Sequence, residues 1–130
     1  MTSPPGPGHH PIAIAPHPGR VVVRFGGRVV AETRRALTLR EASYRPVLYI
    51  PPEDVDQALL RPSARRTRCP YKGEADYFTI ALPPGDGQPS GRISEDAVWR
   101  YADPIPAVAE IAGYLAFYPD RVDSIEAGDA

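Results

Sequence analysis

A pair of glycines between two β-rich runs constrains the fold of this chain most strongly. The run Val21-Val22-Val23-Arg24-Phe25 precedes Gly26-Gly27, and Arg28-Val29-Val30-Ala31-Glu32-Thr33 follows it. Two β-rich runs separated by two glycines are typical of a β-hairpin with a primed turn, because both turn residues need a positive φ. The sequence therefore predicts antiparallel pairing of residues 21–25 with residues 28–33.

Other apolar or alternating runs predict further strands, most of them bounded by proline or glycine. They are residues 10–16 (an edge strand or extended arm), 37–41, 47–50, 65–69, 75–82, 97–101 and 114–118. Alternation within the run 97–101 places Val98 on one face of the strand, and Trp99 and Tyr101 on the other. Residues 65–82 are predicted to form a second hairpin.

Two short helices are predicted between the strands. One covers about residues 52–60, where an early proline and acidic residues precede apolar residues at helical spacing. The other covers about 106–112, and Gly113 would cap it. Consecutive hairpins with short connections indicate a mainly β domain over residues 10–127, an antiparallel half-barrel or β-tent. Residues 1–9 are a Pro/Gly-rich lead and residues 128–130 a tail, and both are expected to be disordered.

The composition excludes several classes of protein. A chain of 130 residues that is 42% hydrophobic and 24% charged is typical of one soluble globular domain. A net charge of -1 gives no attraction to nucleic acid or to an anionic membrane. No apolar run reaches the roughly 18 residues of a membrane-spanning helix, and no signal-peptide pattern is present, so we expect a cytoplasmic location.

A metal site and other cofactors are not expected. One cysteine permits neither an internal disulfide nor a cysteine-based zinc site. The three histidines, His9, His10 and His17, all lie near the N-terminus. The acids Asp54 and Asp56, which are separated by one residue, are more typical of a helix start than of a metal-binding pair.

The predicted tip of the second hairpin, Cys69-Pro70-Tyr71-Lys72-Gly73, contains the only cysteine and the only lysine of the chain. The 15 basic residues are 14 arginines and Lys72. Lysine is a compact point charge whose pKa shifts on burial, and cysteine is a nucleophile, so the turn is a candidate site. The alternative is ordinary turn chemistry, because proline sets φ and glycine permits a positive φ.

Nearly the whole chain resembles the bacterial domain-of-unknown-function 427 family. The motifs that carry the resemblance are Ala36-Leu37-x-Leu39-Arg40-Glu41-Ala42, Tyr49-Ile50-Pro51-x-Glu53-Asp54-Val55, Thr67-x-Cys69-Pro70-Tyr71-Lys72-Gly73-x-Ala75-x-Tyr77, Ala97-Val98-Trp99-x-Tyr101 and Ile111-Ala112-Gly113-x-Leu115-Ala116-Phe117-Tyr118. The family is similar to the β-tent group, so the resemblance implies ligands held against an aromatic-lined sheet. Most β-tent proteins carry cysteine pairs for zinc, which this chain lacks.

The family is sometimes labelled nucleotidyltransferase-like. Nucleotidyl transfer requires carboxylates that hold Mg²⁺ and a loop that binds phosphate. The loose candidates for these parts are Asp54 with Asp56 and the loop 83–91, and neither has the matching sequence context.

Three functions remain open from the sequence. The first is a small-molecule binding domain, with a pocket lined by aromatic residues and Lys72 facing an anionic ligand; the pocket residues are Tyr71, Lys72, Tyr77, Trp99 and Tyr101. The second is an enzyme that uses Cys69 as a nucleophile or redox thiol, although no base and no resolving cysteine accompany it. The third is a protein-interaction module. The ligand, the reaction and the oligomeric state are left open.

Overall fold

The computed structural model describes residues 11–85 and 90–128. Ten strands and four short 3₁₀ helices make up this part of the chain. The strands are β1 (Ile12–Pro16), β2 (Val21–Phe25), β3 (Arg28–Thr33), β4 (Leu37–Glu41), β5 (Val47–Tyr49), β6 (Leu60–Cys69), β7 (Gly73–Leu82), β8 (Arg92–Arg100), β9 (Leu115–Phe117) and β10 (Ser124–Ala127). The 3₁₀ helices are Pro52–Asp54, Gln57–Leu59, Pro106–Ile111 and Pro119–Arg121.

The strands form three antiparallel sheets, with the orders β1-β4-β5, β10-β2-β3 and β6-β7-β8-β9. Ile50 and Leu115 exchange two backbone hydrogen bonds of 2.8 Å, which connect the end of β5 to β9. The prediction of a mainly β, antiparallel fold built from hairpins is therefore confirmed, and the described strands do not close into a barrel. None of the described helices is long and apolar enough to cross a membrane.

The hairpin predicted around Gly26-Gly27 is confirmed. Strands β2 and β3 pair antiparallel, and the two glycines have φ values of 61° and 76°. The Asp123 carboxylate accepts hydrogen bonds from both turn amides, with N–O distances of 2.7 and 3.4 Å. These contacts fix the turn against the C-terminal part of the chain, where β10 pairs with β2.

The second predicted hairpin is also confirmed, but its first strand is longer than the sequence indicated. Strand β6 begins at Leu60 rather than at residue 65, and it includes Pro62. The pairing with β7 is irregular between Pro62 and Arg66. Proline is tolerated there because β6 is the outer strand of its sheet, where a missing backbone donor does not interrupt a central ladder.

The two predicted helices are both shorter and tighter than expected. Residues 52–60 form two single 3₁₀ turns, because Val55 between them is extended and bridges to Ala31 of β3. The second helix is the 3₁₀ segment Pro106–Ile111, which is kinked at Val108. Both segments bury apolar residues as predicted, and in the first of them the backbone of Val55 pairs with β3 instead of continuing a helix.

Two apolar clusters form the core. The first cluster includes Val21, Val23, Ile80, Val98 and Phe117, and it lies against the sheet that contains β2. The second cluster includes Leu39, Tyr49, Tyr77, Tyr101 and Ile111. Val98 belongs to the first cluster while Trp99 and Tyr101 belong to the second, which confirms the predicted alternation of this strand.

Several predictions fall on residues outside the described part of the chain. They concern the lead of residues 1–9, most of the tail and part of the loop 83–91. Residues 92–96, which follow that loop directly, belong to β8. The strand predicted over 97–101 therefore begins earlier than expected. Strand β10 was not predicted from the sequence; its Ile125 is partly buried and packs against the first core cluster.

Candidate functional site

The turn between β6 and β7 is held in place by backbone hydrogen bonds. Lys72 N donates to Cys69 O at 3.2 Å, and Lys72 O accepts from Ile105 N at 2.9 Å. Gly73 has a φ of 120°, which a residue with a side chain rarely adopts. The turn is therefore packed against the segment that follows β8.

The Lys72 side chain points into the protein. The residue is 7% exposed, and its Nζ lies 2.5 Å from Glu41 Oε1 at the end of β4. The Glu41 side chain is also largely buried, at 16% exposure. A carboxylate thus compensates the positive charge of Lys72, which favours the structural interpretation of this turn over a ligand-facing lysine.

The structure brings three of the five predicted ligand-binding residues into the second core cluster. Tyr77 and Tyr101 are buried there, and Trp99 packs against the same cluster while remaining half-buried. Lys72 pairs with Glu41 instead, and Tyr71 is half-buried in the turn. Of the three predicted ligand-binding residues in this cluster, Trp99 is the one whose aromatic ring remains partly exposed.

Trp99 belongs to a row of aromatic side chains, which we call the aromatic row: Tyr49, Trp99, Tyr118 and Tyr77. Trp99 Nε1 donates to the Tyr49 hydroxyl at 3.2 Å, and the two rings meet edge to face. The Trp99 and Tyr118 ring centroids are 4.4 Å apart, and the Tyr118 and Tyr77 rings are nearly parallel at 6.4 Å. At the end of the row, the Arg65 guanidinium lies 4.9 Å from the centre of the Tyr77 ring.

Three hydroxyl groups meet at the Tyr77 end of the aromatic row. Tyr77 Oη lies 2.9 Å from Thr67 Oγ1 and 3.4 Å from Tyr118 Oη. Burial raises the pKa of Tyr77, but the hydrogen bonds with Thr67 and Tyr118 and the charge of Arg65 outweigh burial and lower that pKa. Burial and the hydrogen bond with Tyr77 raise the pKa of Tyr118 to about 12. Negative charge is thus better stabilised at the Tyr77 oxygen than at its neighbour.

The buried tyrosines predict a loss of stability at high pH. Burial raises the pKa of Tyr49, Tyr101 and Tyr118 above the ordinary value of 10.0. A raised folded-state pKa contributes stability that is present below pH 10 and is lost as the pH rises, at up to about 1.4 kcal/mol per pH unit for each group. Urea unfolding should therefore give a lower free energy of unfolding at pH 11 than at pH 9. The decrease should be smaller in Tyr118→Phe, and an unchanged free energy across this range would contradict the prediction.

An apolar groove of about 280 Å³ lies on the other side of Trp99. All the side chains that line it are apolar: Val23, Pro46, Val47, Leu48, Ile50, Trp99, Phe117, Pro119 and Ile125. The groove lies beside β5 and β9, which are joined through Ile50 and Leu115. Pro46, just before β5, and Pro119, shortly after β9, also line it. Its volume is just below the roughly 300–1,000 Å³ of typical ligand sites.

Sequence reasoning missed three residues of this region: Tyr49, Tyr118 and Thr67. Tyr49 and Tyr118 lie in or next to strands that were predicted, and both sit in aromatic or apolar runs. Arg65 and Thr67 lie in the predicted strand 65–69, whose arginines suit either an edge strand or contact with an anion, and β6 is indeed the edge strand of its sheet. The missing information was which rings face each other, and alternation within single strands does not provide it.

The Cys69 side chain is half-buried against the second core cluster, and it is a free thiol. His17, the histidine that the structure describes, donates from Nε2 to Gly128 O at 3.1 Å. Among the described residues, no group of three or more His, Cys, Asp or Glu side chains is arranged to hold a metal ion. The expectation that the protein has no metal or cofactor stays a prediction.

Comparison with known proteins agrees with the resemblance seen in the motifs. A family model described as "Domain of unknown function (DUF427)" matches residues 13–128, which include every motif that carries the resemblance. A search of curated proteins found no match. The matched region covers most of the chain, and the protein therefore belongs to the DUF427 family of domains of unknown function.

Proposed function

We propose that this domain binds a small, largely apolar molecule in the groove beside Trp99. The observation that carries the proposal is the position of Trp99, which lines the groove and is also held from behind by Tyr49 and Tyr118. A rigid aromatic wall in an apolar concavity is a common feature of small-molecule sites.

The contacts of Lys72 shift the proposed site away from the Cys69–Gly73 turn. Lys72 lies in a buried ion pair with Glu41, so its charge is already compensated without a ligand. The groove contains no charged side chain, which favours a planar apolar group over an ion in that position. No contact of Cys69 in the described residues favours the enzyme alternative.

Trp99 is the only tryptophan of the chain, so its fluorescence reports directly on the groove. We expect planar apolar probes that contain no indole ring, such as naphthalene derivatives, to change Trp99 emission in a saturable manner. Leu48→Gln places an amide in the groove and should weaken probe binding by about tenfold, since burying one such side chain contributes roughly 1.5–3 kcal/mol.

The matched control is Ile93→Gln on β8, because Ile93 is 62% exposed and does not line the groove. This variant should bind the probe like the parent protein. Fluorescence that changes linearly with probe concentration, or equal weakening in both variants, would contradict binding in the groove. Melting temperatures measured without probe show whether Leu48→Gln remains folded.

A further inference from the structure

We propose that Arg65, Thr67, Tyr77 and Tyr118 form a binding site for a small oxyanion, a carboxylate or a phosphate group. None of these four residues lines the groove, although Tyr77 pairs across the strands with Trp99 and the Tyr118 ring contacts it. The proposal therefore stands on its own contacts and does not depend on occupation of the groove.

The first argument is the convergence of polar groups. The hydroxyls of Thr67 and Tyr118 both lie within hydrogen-bond distance of the Tyr77 hydroxyl, at 2.9 and 3.4 Å. Each hydroxyl can donate one hydrogen bond, and an oxyanion has several acceptor positions. The two hydrogen bonds between the hydroxyls use two of the three O–H protons, so one O–H remains to donate to a carboxylate or phosphate oxygen beside the Arg65 guanidinium.

The second argument is the charge of Arg65. Its guanidinium lies over the Tyr77 ring, and within the described part of the chain no carboxylate forms an ion pair with it. Arg92 and Arg100 also lie over aromatic rings, but each of these two arginines pairs with an acid. A planar guanidinium held on an aromatic ring retains free N–H groups for bidentate contact with an oxyanion.

The third argument is the electrostatic environment at the Tyr77 oxygen. The same neighbours that would bind an oxyanion, Thr67, Tyr118 and Arg65, already favour the ionised form of Tyr77. An environment that stabilises a phenolate oxygen also stabilises an oxygen of an external anion placed beside it. Lys72 cannot supply this charge, because Glu41 compensates it elsewhere in the fold.

The test is an NMR titration of the full chain with inorganic phosphate, benzoate and phenyl phosphate at constant ionic strength. We expect saturable shifts at Thr67, Tyr77 and Tyr118. Arg65→Gln should weaken binding ten- to a hundredfold, as expected for loss of a charge-assisted contact. Tyr118→Phe keeps the ring, removes one donor, and should weaken binding severalfold.

The matched control is Arg68→Gln, which makes the same change in charge on the same strand. Arg68 pairs across the strands with Glu74, and alternation places it on the opposite face from Thr67. Phosphate affinity should stay within about twofold of the parent, the difference expected from general electrostatics at an exposed site. Equal weakening by Arg65→Gln and Arg68→Gln, or shifts that do not saturate, would overturn the site.

The three probes also separate the sources of the oxyanion. Binding of inorganic phosphate that Arg65→Gln removes supports a site for a free ion. Binding of the two aryl acids alone, again removed by Arg65→Gln, supports an oxyanion carried by a larger ligand. Absence of Arg65-dependent binding for all three probes would overturn the proposal even if the groove binds its own apolar probe.

Discussion

Lys72→Met is expected to lower the free energy of unfolding by about 3 kcal/mol, because it removes the buried ammonium group that pairs with the largely buried Glu41 carboxylate. For a chain of this size, such a loss corresponds to a decrease of roughly 10 °C in melting temperature. The measurement is urea or thermal unfolding of the parent and the variant in the absence of any ligand. A near-native melting temperature would instead return Lys72 to the role of a ligand-facing side chain.

A double variant tests whether the loss comes from the uncompensated charge. Lys72→Met combined with Glu41→Gln removes both charges, and it should recover a large part of the stability lost in Lys72→Met alone. Arg20→Met is the control for an exposed pair, since Arg20 and Glu32 are each 48% exposed. Its cost should stay below about 1 kcal/mol.

Gly73→Ala is expected to cost about 3 kcal/mol, for two reasons that add. The φ of 120° is strained for any residue with a side chain, at about 1–3 kcal/mol. A Cβ at this position would also lie 3.3 Å from Pro104 Cα, so that backbone atom would have to shift by a few tenths of an ångström. The measurement is equilibrium unfolding, as for Lys72.

Gly113→Ala separates the two contributions to this cost. Gly113 has a positive φ of 78°, but a Cβ there would meet nothing within 4 Å. The variant should therefore show backbone strain alone, at about 1–2 kcal/mol. If Gly73→Ala and Gly113→Ala cost the same, close packing of the turn against Pro104 contributes nothing to stability.

Much of the fold was predictable because its signals are local. Gly26-Gly27 specified a hairpin through the φ values that its turn requires, and alternation placed Val98 and Trp99 in different core clusters. The motifs also indicated the correct family, since they extend over most of the region that the family model matches.

Where long-range pairing competes with local preference, prediction was less accurate. Residues 52–60 have the composition of a helix start, but the bridge between Val55 and Ala31 divides them into two 3₁₀ turns. Strand β10 gave no clear signal, because its partner β2 lies at the other end of the chain. Tertiary contacts determine such segments, and intrinsic propensity is only a weak guide to them.

By itself, the sequence determined most of the strands, the two main hairpins and the residues that are chemically unusual, because turn chemistry, alternation and composition act over a few neighbouring positions. It could not determine which charges compensate each other. Only the tertiary structure placed Glu41 against Lys72 and left Arg65 over Tyr77 without a carboxylate among the described residues. The physical reason is that charge and ring contacts depend on distances between strands far apart in sequence, and folding sets those distances.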